Sequence, residues 1–133
     1  MARQTPLSRA ARERAGRRAE WLAELLLRLK FYRILDRRFR SGRGEIDIVA
    51  RRGKTLTFVE VKSRPTREAA FNALTPAGER RIADAAIIWM SRYSDMAPDE
   101  VRYDLVTVAR LWPRHHRDVF RPGRDPRDPS SVF

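Results

Sequence analysis

The chain has 133 residues, enough for one domain with a single hydrophobic core, and its 42% content of hydrophobic residues is ordinary for a globular protein. Its formal net charge of +12 predicts binding to a polyanion, either a nucleic acid or, as the competing partner, an anionic membrane surface. The sequence contains no cysteine, which excludes disulfides and thiolate metal sites.

The first predicted element is a helix that Ser8 caps and that extends to about Lys30, after a loose segment at residues 1–7. Its main apolar stripe recurs at three- and four-residue spacing and consists of Ala15, Ala19, Leu22, Leu26 and Leu29. Glu20 belongs to a second stripe of small and aliphatic residues, so it can approach a packed sheet. The alternative is a solvated Glu20 that pairs with Arg17.

Three strands are predicted to follow, at residues 31–40, 45–50 and 55–62, because these segments are rich in β-branched and aromatic residues or alternate in polarity. A flexible turn at residues 41–44 separates the first two strands. The last two are joined by Gly53-Lys54, which suits a type II′ turn because glycine occupies the first central position. These two strands therefore form a β-hairpin.

The hairpin brings two carboxylates together. A two-residue loop makes the numbers of facing residues add up to 107, so Asp47 faces Glu60 and Glu45 faces Lys62. Facing side chains lie about 5 Å apart on one side of the sheet, where like charges are destabilising. A hard divalent cation such as Mg²⁺ would relieve this repulsion, and without a metal the pair would resist double ionisation. A solvated hairpin whose charges splay into water is the alternative.

Lys62 strengthens the functional interpretation because lysine is rare in this chain. Of the 29 basic residues only three are lysines, namely Lys30, Lys54 and Lys62. A compact ammonium group can orient a water molecule or stabilise developing phosphate charge, whereas a guanidinium group is a wide planar fork. We therefore expect Lys62 to have a functional role.

The second half of the chain is predicted to add one helix and one strand. After a loop that carries Arg64, the helix is capped by Thr75 and begins at Pro76. Its residues that recur at helical spacing, and so pack on the sheet, are Ile82, Ala86, Trp89 and Tyr93. The fourth strand covers residues 101–109 and contains Asp104, which we interpret as structural.

The last part of the chain gives weaker signals. His115 and His116 are adjacent, so their side chains point apart in an extended segment, and we expect both at the surface rather than on a metal. Residues 1–120 are predicted to form the single domain, and residues 121–133, rich in Arg, Pro and Asp, a disordered tail.

The hairpin carries a resemblance to a known family. Gly44-Glu-Ile-Asp47, followed after twelve residues by Glu60-Val-Lys62, resembles the PD-(D/E)XK nuclease signature, with Ile46 in place of its proline. Residues 15–110 resemble more closely the bacterial YraN-like family, uncharacterised proteins described as related to archaeal Holliday junction resolvases. Further matching segments are Gly16-Arg-Arg-Ala-Glu20, Tyr32-Arg-Ile-Leu35, Ala73-Leu-Thr-Pro76, Arg80-Arg-Ile82 and Arg102-Tyr-Asp-Leu105. Gly78 departs from the family, which more often has a lysine there.

The resemblance implies an α/β fold of the restriction-endonuclease-like class, with a central mixed sheet flanked by helices in the order α-β-β-β-α-β. It also implies metal-dependent hydrolysis of nucleic-acid phosphodiesters, with branched DNA as one candidate substrate. Asp47, Glu60 and the Val61 carbonyl would then hold Mg²⁺ or Mn²⁺, and Lys62 would position or stabilise the attacking water. Glu20 would support the metal or its waters, while Glu45 would pair with Lys62 and orient it.

Basic residues surround this predicted site on two sides. The arginines expected to contact nucleic acid, most of all DNA, are Arg17, Arg18, Arg40, Arg43 and Arg64. Few aromatic residues interleave them, which argues against recognition of single strands by base stacking. A non-catalytic DNA- or RNA-binding module that keeps the fold is the rival function, and a structural role ranks third.

Location and assembly are less constrained by the sequence. No apolar run approaches the length of a membrane span and no apolar signal core is present near the N-terminus, so we expect a cytoplasmic protein without a membrane partner. The oligomeric state is open, and a homodimer is compatible with the sequence.

Overall fold

A five-stranded mixed β-sheet with helices packed on it forms the body of the protein. The computed structural model describes residues 8–122. Its helices are Arg9–Leu29 (α1), Arg67–Asn72 (α2) and Pro76–Arg92 (α3), and its strands are Arg33–Ser41 (β1), Gly44–Arg52 (β2), Thr55–Arg64 (β3), Glu100–Ala109 (β4) and Trp112–His116 (β5). The predicted α/β class and mixed sheet are confirmed. The loose segment 1–7 and all but the start of the predicted tail 121–133 lie outside the described residues.

The strands lie in the order β1-β2-β3-β4-β5. Only the β3–β4 pair is parallel, and the other neighbours are antiparallel. A parallel pair needs a crossover connection, which here contains α2 and α3. The carboxyl ends of β3 and β4 therefore lie at the same edge of the sheet.

Local signals placed most elements correctly. The Ser8 hydroxyl accepts a hydrogen bond from the Ala11 amide at 3.1 Å at the start of α1, and Thr75 caps α3 in the same way through Gly78. Two elements were not predicted. The segment interpreted as a loop contains α2, whose six residues are too few to show helical periodicity. The short β5 contains Pro113, which an edge strand tolerates.

Two hydrophobic cores lie on opposite faces of the sheet. On one face α1 buries Ala19, Ala23 and Leu27 against strand residues that include Val59. The predicted main stripe of α1 was only partly right, since of its members Ala19 alone is fully buried and Leu29 is 70% exposed. The buried stripe keeps a strict four-residue spacing, and its Ala23 and Leu27 belong to the second stripe, that of Glu20. On the other face α3 packs Trp89 and its neighbours against Phe58 and Tyr103, as predicted for Trp89.

A buried polar cluster joins α1 to β4 and β5. Asp104 accepts hydrogen bonds from both Arg102 Nε (3.1 Å) and Nη2 (2.8 Å), from His115 Nε2 (2.7 Å) and from the Asp118 amide (2.9 Å). Lys30 Nζ lies 2.6 Å from His115 Nδ1. Because Lys30 can only donate, His115 carries its proton on Nε2 and donates it to Asp104. Asp104 is thus the centre of a structural network.

The two histidines differ from the prediction. The His115 side chain is only 2% exposed, so the expected surface position was wrong. His116 is half-buried and contacts Thr107 Oγ1 at 2.9 Å, away from the Asp104 cluster. The opposite directions of the two rings follow from the pleat of β5, as expected, but both sides of this edge strand are covered.

Gly44 allows α3 to approach β2 closely. A Cβ atom at Gly44 would overlap the Arg81 carbonyl oxygen, whereas one at Gly42, in the adjacent turn, would meet nothing within 4 Å. We expect Gly44→Ala to lower the free energy of unfolding by about 1–3 kcal/mol, since α3 would have to shift. Gly42→Ala is the matched control and should change it by less than about 1 kcal/mol. Urea denaturation checks both, and equal stability of the two variants would contradict the close-packing role.

Candidate active site

The hairpin register is as predicted, but the paired region stops short of the carboxylates. All five pairs between β2 and β3 add up to 107, and the ladder ends at Ile48–Val59. One residue further along, Asp47 Oδ2 accepts a hydrogen bond from the Val61 backbone amide at 2.8 Å. The Asp47 side chain thus takes the place of a strand carbonyl. Asp47 and Glu60 are therefore not a ladder pair, although their side chains converge as predicted.

Strand β2 also reverses its faces at Asp47. Ile46 belongs to the core under α3 and Ile48 to the core under α1, although side chains two residues apart in a regular strand share a face. On β1, Arg38 lies opposite this point with φ +50, a left-handed backbone conformation. The β1–β2 ladder skips both Arg38 and Asp47. Irregularities of this kind re-aim a side chain, and here they turn Asp47 into the opening between β2 and β3.

Glu60 and Lys62 lie in the same opening. Lys62 Nζ is 3.3 Å from Glu60 Oε1, and the two side chains are 27% and 14% exposed. The predicted contact of Glu45 with Lys62 is corrected, because Glu45 Oε2 instead lies 3.5 Å from Arg40 Nε at the surface. A facing pair of Glu45 and Lys62 would form only if the β2–β3 ladder continued past Ile48. We call Asp47, Glu60 and Lys62 the carboxylate cleft.

The carboxylate cleft holds its two acids in an unfavourable setting for ionisation. Burial raises the pKa of Glu60 to about 8, the Asp47 charge adds to the rise, and Lys62 opposes it. Burial also raises the pKa of Asp47 to about 6; the Val61 amide opposes this rise, and the Glu20 charge adds to it. A protonated Glu60 can donate a hydrogen bond to the Asp47 carboxylate. The two groups therefore resist double ionisation, as expected of converging carboxylates.

Glu20 points toward the sheet from α1, as its position in the second stripe predicted. Its Oε2 accepts a hydrogen bond from Arg38 Nε at 2.7 Å, and the side chain is 26% exposed. The alternative of a solvated Glu20 paired with Arg17 is not what the structure shows. Because the Glu20 charge raises the pKa of Asp47, the two carboxylates are electrostatic neighbours. A supporting role for Glu20 toward a metal stays a prediction.

The donors in the cleft fit magnesium better than zinc. Among residues 8–122, no group of three or more His, Cys, Asp or Glu side chains is placed to hold a metal ion. Mg²⁺ needs only one or two protein carboxylates, with the remaining ligands from water and substrate, whereas zinc sites use three or four protein ligands. The Val61 amide faces Asp47, and the carbonyl of an extended residue projects to the same side as its amide. Asp47, Glu60 and the Val61 carbonyl are thus the residues that could hold a hard cation.

Comparison with known proteins identifies the family. Residues 19–108 match a family described as "Uncharacterised protein family UPF0102", a span of more than half of the chain. The chain belongs to this family. A UPF0102 protein of Chelativorans sp. (strain BNC1) is 48% identical over 121 residues, which are 90% of this chain and 98% of the relative. One from Maricaulis maris (strain MCS10) is 47% identical over 125 residues, 92% of this chain and 98% of the relative. The resemblance to YraN-like proteins is thereby confirmed.

The UPF0102 match covers the carboxylate cleft and the helix face that carries Glu20. Two of the surface depressions that Asp47 lines have volumes of about 340 Å³ and about 630 Å³. Arg17 and Arg40 line the first, and Arg64 lines the second. The other two predicted contacts, which are exposed but line neither depression, are Arg18 and Arg43.

Two further arginines of this UPF0102 protein reach the depressions. Arg12 lines the larger one and Arg38 the smaller one. Arg12 could have been found, because it lies four residues before Gly16 and eight before Glu20 on the same helix face. Arg38 could not, since its direction depends on the left-handed backbone conformation.

Within residues 8–122, none of the helices is long and apolar enough to cross a membrane.

Proposed function

We propose that this UPF0102 protein is a metal-dependent nuclease that hydrolyses phosphodiester bonds in nucleic acid, with DNA, including branched DNA, as the expected substrate. One observation carries the proposal. Asp47 and Glu60, both largely buried and with raised pKa values, converge beside Lys62 on a protein of net charge +12. A protein that only binds polyanions gains nothing from this arrangement, because two carboxylates repel the phosphate backbone.

The donor set supports the same chemistry. A Mg²⁺ or Mn²⁺ ion held by Asp47, Glu60 and the Val61 carbonyl would supply a Lewis acid and a water molecule of lowered pKa. The sheet fixes these donors, since Glu60 and Val61 belong to a central strand and the Val61 amide locks the Asp47 carboxylate. Such a rigid arrangement suits in-line attack on a phosphodiester.

Lys62 is the residue assigned to the attacking water. Its ammonium group lies 3.3 Å from Glu60 and is partly open to solvent, so it keeps donors for a water or a phosphate oxygen. Negative charge that develops during phosphoryl transfer would be stabilised by this positive charge. Glu20 would act indirectly, because it holds Arg38 by a hydrogen bond and its charge raises the pKa of Asp47.

The non-catalytic binding module is the second candidate. Arg17, Arg40 and Arg64 around the cleft would serve a binder as well as a nuclease. Binding through such exposed arginines should weaken steeply with salt and depend little on sequence in both cases. The two functions differ only in what the cleft residues do, so the test must separate cleavage from affinity.

The variant Lys62→Arg separates cleavage of DNA from affinity for DNA. We expect it to keep the fold and the affinity for DNA but to slow Mg²⁺-dependent cleavage by about 10²-fold, because a planar guanidinium cannot take the place of the ammonium beside the water. Cleavage of labelled branched, flapped and single-stranded DNA is measured with Mg²⁺ or Mn²⁺, and affinity by fluorescence anisotropy in EDTA. The matched control is Lys54→Arg in the exposed β2–β3 turn, which should cleave as fast as wild type.

Two results would count against the proposal. A wild-type protein that binds DNA yet cleaves none of these substrates with either metal would support the binding module instead. Equal cleavage by wild type and Lys62→Arg would remove the role assigned to Lys62, while leaving the metal donors to be tested separately.

A further inference from the structure

Trp21 is an exposed tryptophan that lies beside the carboxylate cleft. It follows Glu20 on α1, and 63% of it is exposed. Trp112, on the edge strand β5, is 78% exposed, and Trp89 in the core is 2% exposed. Exposure alone does not indicate a binding site, because single exposed apolar residues are common, so the position of Trp21 next to the cleft decides its interpretation.

The indole shares a surface depression with the site itself. This depression, of about 290 Å³, is lined by Trp21, Asp47 and Ile48 together with charged residues of α1 and β1. Asp47 thus forms part of the wall on which the indole lies. A ligand group packed on Trp21 would be a direct neighbour of whatever is bound at Asp47.

The depression is lined by three acidic residues, Glu20, Glu24 and Asp47, and by three arginines, two of which are paired. Arg37 is held by Glu24 and Arg38 by Glu20. Arg17, one helical turn before Trp21, makes no ion pair within the part of the chain that the structure describes, and it lines the same depression. An aromatic face beside an uncommitted guanidinium matches the two parts of a nucleotide, its base and its phosphate.

We infer that Trp21 is a stacking platform for an unpaired nucleobase next to the phosphodiester bound at the carboxylate cleft. The inference rests on the proposed function and narrows its substrate class. A base within a continuous duplex is stacked between its neighbours, so only an unpaired or extruded base can reach the indole. The substrate would therefore be single-stranded at the cleft, as at a fork, a flap or an open branch point. One well-placed aromatic residue is sufficient, although few aromatics interleave the arginines in the sequence.

A protein partner is the competing explanation. Trp21, Leu25 and Leu29 recur every four residues on the outer side of α1, and all three are exposed. Such a stripe could pack against another helix. Of the three, however, only Trp21 lines the depression that contains Asp47. The uncommitted Arg17 beside it also fits a phosphate better than an apolar helix face.

The test measures affinity in EDTA, where cleavage plays no part. A labelled oligothymidylate and a blunt duplex of the same length are titrated with wild type, Trp21→Ala, Trp21→Phe and Leu29→Ala. We expect Trp21→Ala to weaken binding of the single strand about tenfold or more and to leave duplex binding within about twofold, with Trp21→Phe restoring most of the loss. Leu29→Ala, equally exposed on the same stripe, should bind both DNAs like wild type. In a Trp112→Phe background, the single strand should also quench the emission of Trp21.

Three outcomes would overturn the inference. These are an unchanged affinity of Trp21→Ala for the single strand, an equal loss for single strand and duplex, or a loss in Leu29→Ala as large as in Trp21→Ala; the last would identify the stripe as a protein-docking surface. A failure of the proposed function can be distinguished from a failure of this inference. A wild type that stacks the single strand but never cleaves with metal would refute the nuclease, whereas any of the three outcomes above in a protein that cleaves with metal would refute only the platform.

Discussion

Glu60→Gln is expected to abolish metal-dependent cleavage and, in the same protein, to stabilise the metal-free fold. Loss of one of two carboxylate donors should lower cleavage on the order of 10³-fold, since metal binding and charge stabilisation are lost together. The amide is neutral and can donate a hydrogen bond to Asp47, as protonated Glu60 does. The repulsion between the two acids is then removed. Glu60 would then be a residue that is needed for cleavage but lowers the stability of the metal-free fold.

The stabilisation should depend on pH in a defined direction. The pKa of Glu60 is raised from 4.5 to about 8 in the fold, so its protonated form favours the folded state. This contribution is complete below about pH 4.5 and is lost as the pH rises through about 8. Above that pH, Glu60→Gln should exceed wild type in free energy of unfolding by about 1 kcal/mol or more, because each unit of pKa shift corresponds to about 1.4 kcal/mol.

Urea denaturation in EDTA across this pH range provides the measurement. In a second series, with Mg²⁺ in place of EDTA, the free energy of unfolding of wild type should rise, most clearly at high pH where protons no longer compete for the carboxylates. That of Glu60→Gln should not change. Glu68→Gln is the control, because it removes an exposed carboxylate on α2, outside the depressions that Asp47 and Glu60 line. Parallel pH profiles for wild type and Glu60→Gln, or an equal response of both to Mg²⁺, would contradict the strained-carboxylate description of the cleft.

The parts of the site that could be predicted are those fixed by short-range rules. The Gly53-Lys54 turn sets the register of the hairpin, and every pair that forms obeys it. Helical spacing likewise placed Glu20 on the side of α1 that faces the sheet. Each of these inferences needs only a turn type or a period, which neighbouring residues determine.

The relation of Asp47 to its neighbours could not be predicted, because the facing-pair rule assumes a continuous ladder. The ladder ends at Ile48, and the backbone reverses its faces at Asp47. As a result, Asp47 contacts the Val61 amide, and Glu45 is left with Arg40 instead of Lys62. The sequence gives no sign of the reversal, because cores on both faces of the sheet bury residues of either parity, such as Ile48 and Val49.

The buried position of His115 depends on contacts between distant parts of the chain. Its ring contacts Lys30, which is 85 residues away in the sequence. The ring becomes buried only when β5 pairs with β4 at the edge of the sheet. A two-histidine pattern in a segment rich in arginine carries no local sign of this burial. The structural interpretation of Asp104 was more secure, because a polar residue in the middle of a hydrophobic strand needs a buried partner.

Asp104→Asn is expected to cause the largest loss of stability in the chain, about 3–5 kcal/mol. Asp104 is fully buried and accepts hydrogen bonds from Arg102, His115 and the Asp118 amide. Although burial pushes its pKa up, the hydrogen bonds from His115 and Arg102 hold the pKa of Asp104 well below its usual range. Asparagine removes the negative charge and leaves the buried guanidinium of Arg102 without a counter-charge.

The loss should come from the unpaired arginine rather than from the new amide. If so, Arg102→Met in the Asp104→Asn background should recover part of the lost stability, and the double-mutant cycle should show strong coupling. Asp118→Asn is the control, since its exposed carboxylate pairs only with Arg121 among the described residues and should change stability little. Additive losses in the cycle would contradict the assignment of the effect to the Arg102 charge.

Activity separates this structural role from a catalytic one. The Asp104 cluster includes Lys30, just beyond the end of α1, whereas the carboxylate cleft faces Glu20 in the middle of that helix. At a temperature where Asp104→Asn is still folded, we therefore expect it to bind and cleave DNA within about threefold of wild type, because positions without shared partners act independently. Circular dichroism and the cleavage assay, carried out at that temperature, give the two readouts. A variant that unfolds at the same urea concentration as wild type but no longer cleaves would place Asp104 in the chemistry, and the structural role would be wrong.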